Sequence, residues 1–62
     1  MLTPRETEVL TLMTRGYTPA MIARKLGIAY KTVFAHRCHI MAKLNLHDVQ
    51  ELGEYALRNG LI

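Results

Sequence analysis

Apolar positions recur at three- and four-residue spacings along most of the chain. Polar punctuation divides them into four helical segments. The first opens with "LTPRE": Thr3 is placed to cap, Pro4 takes the first helical position, and Glu6 can close a capping box onto Thr3. Val9, Leu10 and Met13 then form an apolar stripe, Leu2 can staple onto the next turns, and Gly16 follows the last helical residue, Arg15. The second segment, "YTPAMIARKLG", repeats the signal with Thr18 and Pro19. It buries Ile22, Ala23 and Leu26 and stops at Gly27. Arg24 and Lys25 lie near its C-terminus, where the helix dipole favours cations.

The third segment carries Val33, Ile40 and Leu44 in one line, with Met41 beside them. Its N-cap position is Ala29, which has no side-chain oxygen, so its first amides go to water or a ligand. The fourth opens at Asp48, with Glu51 placed for a second capping box. Val49, Leu52, Tyr55 and Ala56 make its apolar face, Asn59-Gly60 ends it, and Leu61-Ile62 can fold back onto the core. Gly53 inside it costs about 1 kcal/mol against alanine. No stretch alternates with period two. The expectation is therefore an all-α domain with helices over 4–15, 19–26, 30–44 and 49–59.

Composition narrows the class. Sixty-two residues make one domain at most, and half are hydrophobic, enough for one small core. A single cysteine excludes an internal disulfide. No apolar run approaches membrane-spanning length and no signal peptide opens the chain, so a cytoplasmic, membrane-free domain is expected. The net charge is +3, but its distribution says more. All five acids, Glu6, Glu8, Asp48, Glu51 and Glu54, lie near the ends. Between Val9 and His47 stand Arg15, Arg24, Lys25, Lys31, Arg37 and Lys43, with no acid among them. Such a block suits a polyanion partner, most simply nucleic acid, and equally an ordinary solvated basic face.

The second and third segments are joined by "GIA", a short turn opened by glycine. Helix, glycine turn and longer helix describe a helix-turn-helix unit over about 19–38, whose second helix reads the DNA major groove. The marks "LTPRE" with "EVL", "IARKLGI", "KTV" followed by "HR", then I-M-A-K-L, and the closing "YALRNGLI" extend the pattern across the chain. Together they resemble the LuxR-type (GerE/NarL/FixJ-like) helix-turn-helix domain over essentially all of 1–62. That resemblance implies a four-helix, sequence-specific double-stranded DNA-binding domain, placed C-terminally in a bacterial transcription regulator. It implies a receiver or ligand-sensing domain N-terminal to it, RNA polymerase as a partner of the full protein, and a localisation with the bacterial nucleoid. It also implies a homodimer on a two-fold-related site, with contacts from the last helix around Val49, Leu52 and Glu54. Two further readings stay open: a helical protein-interaction module, and the fourth region of a sigma factor. "LTPRE" with "EVL" fits a sigma factor too, whereas "KTVFAHR" and "YALRNGLI" favour the LuxR type.

Helical phase sorts the third segment. With Val33 at zero, Ile40 and Leu44 fall within about 20° of it. The opposite face holds Lys31, Ala35, Cys38 and Ala42, with Phe34 at one border and Thr32 and His39 at the other. Small residues at its middle let a helix seat deeply in a groove about 12 Å wide. The resemblance implies base contacts at the positions of Phe34, Ala35 and Cys38. Family members often carry long polar side chains at the first and third of these, and this chain does not. Phe34 and Ala35 suit thymine methyl groups, and Lys31, Thr32, His39 or water remain for base hydrogen bonds. A border position also lets Phe34 pack against the first helix. Candidate phosphate contacts are Arg15, Thr18, Arg24, Lys31, Thr32, His36, Arg37 and Lys43. Tyr17 and Tyr55 are expected in the core or at an interface.

The cluster "HRCH" invites other chemistry. His36 and His39 lie about 60° apart, but Cys38 lies about 160° from His36, and beyond the helix only His47 remains as a strong ligand. Neither a four-ligand metal centre nor a Cys-His nucleophile follows, so no metal, no cofactor and no catalytic residue are expected.

Overall fold

The computed structural model describes residues 1–61. Among them stand four helices and no strand: α1 (Pro4–Thr14), α2 (Pro19–Leu26), α3 (Tyr30–Lys43) and α4 (Val49–Arg58). Each matches an expected helix to within a residue at either end. The residues expected last in α1, α3 and α4, namely Arg15, Leu44 and Asn59, stand as C-caps.

Local chemistry explains the starts. Thr3 Oγ1 accepts the Glu6 amide at 3.1 Å, and Glu6 Oε1 accepts the Thr3 amide at 2.9 Å, closing the capping box. Thr18 Oγ1 accepts the Met21 amide at 3.2 Å. Ala29 gives α3 no side-chain cap. At α4, Asp48 Oδ1 accepts the Glu51 amide at 2.8 Å, but Glu51 Oε1 takes the His47 amide at 2.6 Å instead of that of Asp48. The second box therefore closes one residue early, onto the amide that the extended Asp48 leaves within reach.

The ends share one device. A residue in the left-handed conformation follows each helix: Gly16, Gly27, Asn45 and Gly60. The next residue sends its amide back five positions, from Tyr17 to Leu12, Ile28 to Ala23, Leu46 to Met41, and Leu61 to Ala56, at 2.9–3.1 Å. Tyr17, Ile28, Leu46 and Leu61 then pack against the core. The expected fold-back thus holds for Leu61; Ile62 lies outside the described residues.

The core is Val9, Leu10, Leu12, Ile22, Val33, Ile40, Leu52 and Ala56. α3 crosses both α1 and α2, and α4 packs on α1. Val33 and Ile40, two turns apart, turn one stripe of α3 inward. The opposite stripe is thereby fixed outward, clear of the other three helices.

Candidate nucleic-acid interface

The outward face of α3 carries Lys31, Ala35, Cys38, His39 and Ala42, all exposed. Its centre is small and uncharged, and a cation stands at its N-terminal end. No acidic side chain lies on α3. The face therefore offers a low ridge, able to enter a groove without steric obstruction or repulsion from phosphate.

The borders are less free. Thr32, Phe34, His36 and Arg37 are half-buried. Phe34 packs edge-on against Tyr30, with ring centroids 5.0 Å apart and planes at 73°. It also lines a shallow apolar hollow with Met13, Tyr17, Pro19, Arg37 and Val49. Of its two expected orientations, Phe34 takes the one turned toward the protein. Tyr30, exposed at the start of α3, escaped the sequence analysis. Its signal was an aromatic four residues before Phe34, the spacing at which two rings meet on a helix.

Around this face stand further candidates. Arg15 and Arg24 are exposed. The exposed Thr18 hydroxyl accepts from the Met21 amide, which leaves its own proton to donate. Lys25 Nζ lies 6.0 Å from the Tyr17 ring centroid, the outer limit of a cation–π contact. Lys43 is committed elsewhere: its ammonium lies 2.8 Å from Glu6 Oε1. That partner holds the Glu6 carboxyl at about 2, below its ordinary 4.5, with the Thr3 amide assisting and burial opposing. Lys43 was expected among the candidate phosphate contacts, and its ammonium is shared with the interior Glu6.

The α4 residues divide. Val49 is 64% exposed and Glu54 is exposed, whereas Leu52 is only 4% exposed. Leu52 was expected on a dimer surface; sealed in the core, it offers none to a second copy. Leu57, 69% exposed, is the large apolar side chain that the sequence analysis left out of this surface. Among the described residues no three His, Cys, Asp or Glu side chains gather at one point, and no helix is long and apolar enough to cross a membrane.

Residues 1–56 match the family described as bacterial regulatory proteins, luxR family. The whole chain is 50% identical to oxygen regulatory protein NreC of Staphylococcus carnosus, covering 29% of that protein. It is 50% identical to the protein of the same name from Staphylococcus epidermidis, covering 28% of it. Against the Staphylococcus aureus protein the identity is 48%, again over the whole chain and 29% of the relative. The chain thus spans less than a third of these relatives.

Proposed function

This chain belongs to the luxR family of bacterial regulatory proteins and is a DNA-binding, helix-turn-helix domain of transcription regulation, and from that premise we propose that it reads a specific duplex by laying the outward face of α3 in the major groove. The acid-free, small-residue centre of that face is the observation that carries the proposal. Ala35 and Cys38 meet apolar base edges such as thymine methyl groups, while Lys31, Thr32 and His39 supply hydrogen bonds. Arg15, Thr18, Arg24, His36 and Arg37 hold phosphates and fix the register, with Lys31 and Thr32 assisting at the start of α3.

The functional unit is a homodimer on a two-fold-related site, joined through α4, where exposed Val49, Glu54 and Leu57 offer the surface. The complete protein is a cytoplasmic response regulator with a receiver domain N-terminal to this one and RNA polymerase as its partner. Support for that wider picture is the likeness to the much longer oxygen regulatory proteins. No enzymatic step and no cofactor enter it.

Duplex binding titrated at several salt concentrations tests the proposal. Affinity falls steeply with salt, and Lys31→Ala reduces the slope of log K against log salt by about 1. Absence of binding to every duplex of a random pool at low salt would overturn it in favour of a protein-interaction module.

A further inference from the structure

A helix lying in the major groove has one flank toward each DNA backbone, and the two flanks of α3 differ. One flank carries Thr32, His36, His39 and Lys43, all polar. The other carries Tyr30, Phe34, Arg37 and Met41, at about 40–100° from Val33. On that second flank Phe34 is half-buried and Arg37 lines the hollow shared with Tyr17 and Pro19, so both are drawn toward the protein. Tyr30 is 54% exposed and carries a hydroxyl. The same hollow brings the start of α2, with Pro19 and its neighbour Thr18, alongside this flank of α3.

We propose that Tyr30 is a DNA-positioning residue whose hydroxyl donates to a backbone phosphate on the α2 side of the groove, and that Phe34 acts through it by fixing its ring. This rests on the groove-reading role of α3 and adds to it. The Phe34 ring meets the Tyr30 ring edge-on at 5.0 Å and is itself wedged against the hollow. A phenol has two side-chain torsions, so one packed neighbour removes much of its freedom and the hydroxyl is presented at a set distance from the helix axis. A neutral hydroxyl suits a phosphate oxygen without releasing a counterion, unlike Lys31. Phe34 is thereby a prop for Tyr30 more than a reader of bases.

The test uses two fluorescein-labelled duplexes, one selected from a random pool by the wild-type chain and one of unrelated sequence. Tyr30→Phe keeps the ring pair and removes only the hydroxyl. It lowers affinity several-fold on both duplexes, with the salt slope and the melting temperature unchanged. Phe34→Leu, which fills the hollow but loses the edge contact, weakens binding in the wild-type background and adds little to Tyr30→Phe. Equal affinity of Tyr30→Phe and wild type overturns the proposal, and so does a loss confined to the selected duplex, which would make Tyr30 a base reader. If the wild-type chain selects no duplex from the pool, the groove-reading proposal fails first and this one with it. Wild-type binding with a normal salt slope, beside an unaffected Tyr30→Phe, sinks the Tyr30 role alone.

Discussion

Lys43 Nζ, in the last turn of α3, lies 2.8 Å from Glu6 Oε1 in the first turn of α1, with the Glu6 side chain 6% exposed. The same oxygen accepts the Thr3 amide, so one carboxylate caps α1 and ties down the far end of the proposed reading helix. A helix end fixed in this way holds the angle at which the outward face of α3 meets its target.

Acid should release that tie. The Glu6 carboxyl is lowered from 4.5 to about 2 in the folded chain. A depressed folded value contributes stability above the unfolded value and loses it as pH falls from 4.5 toward about 2. Glu6→Gln therefore melts well below wild type near neutral pH, and the gap closes as pH approaches about 2. Thermal unfolding of both chains across acid pH measures it. A gap that stays constant with pH would show that the ionised carboxylate is not what stabilises the fold.

Lys43→Ala should separate stability from DNA contact. It leaves an interior carboxylate with one partner fewer, so the melting temperature drops by several degrees. The salt slope of duplex binding stays near that of wild type, because the ammonium is already neutralised within the chain. Lys31→Ala does the reverse, with an unchanged melting point and a slope shallower by about 1. A comparable slope change for Lys43→Ala would mean that the ion pair opens on DNA.

Much of this fold was legible because its signals are local. Thr3, Thr18 and Asp48 mark helix starts, and Gly16, Gly27 and Gly60 mark ends, each acting within a few residues. Asn45 ends α3 by the same left-handed turn, yet its type alone does not announce it, since asparagine serves many loops. What escaped depends on tertiary distance. The partners Glu6 and Lys43 are 37 positions apart, and no spacing rule joins them. Val49 and Leu52 share an apolar stripe, and only the packing of α4 decides that one is sealed while the other stays open. At the candidate site, phase placed Lys31, Ala35, Cys38 and Ala42 outward, and all four are exposed. It left Phe34 at a border, because the hollow that draws it inward is built by three other helices.

The uncapped start of α3 predicts a gain. Ala29 has the extended backbone of an N-cap, with φ −68° and ψ 147°, and its carbonyl accepts the Thr32 amide at 3.0 Å, but it has no side-chain oxygen to offer the first turn. A Ser side chain at that position can accept the Lys31 amide or share that of Thr32, which now goes to the Ala29 carbonyl alone. Ala29→Ser should add about 1 kcal/mol, raising the melting temperature by about 4–8 °C. Calorimetry on the two chains decides it, and an unchanged midpoint would mean that the first-turn amides gain nothing from a side-chain cap.

Cys38 gives the most direct chemical probe of the outward face. Its thiol is free and exposed, and the chain has no other cysteine, so a maleimide reacts there alone. The adduct projects from the middle of the small-residue ridge, between Ala35 and Ala42, where the proposed groove contact tolerates least bulk. The core lies on the opposite stripe, beneath Val33 and Ile40, and is untouched. N-ethylmaleimide should therefore lower duplex affinity at least tenfold and leave the melting temperature as it was. Cys38→Ala should keep near-wild-type affinity for unrelated duplex and become insensitive to the reagent. Bound duplex should in turn slow the reaction at Cys38, since the covered sulfur cannot be reached. Full modification with undiminished binding would move the DNA contact to another face of the molecule.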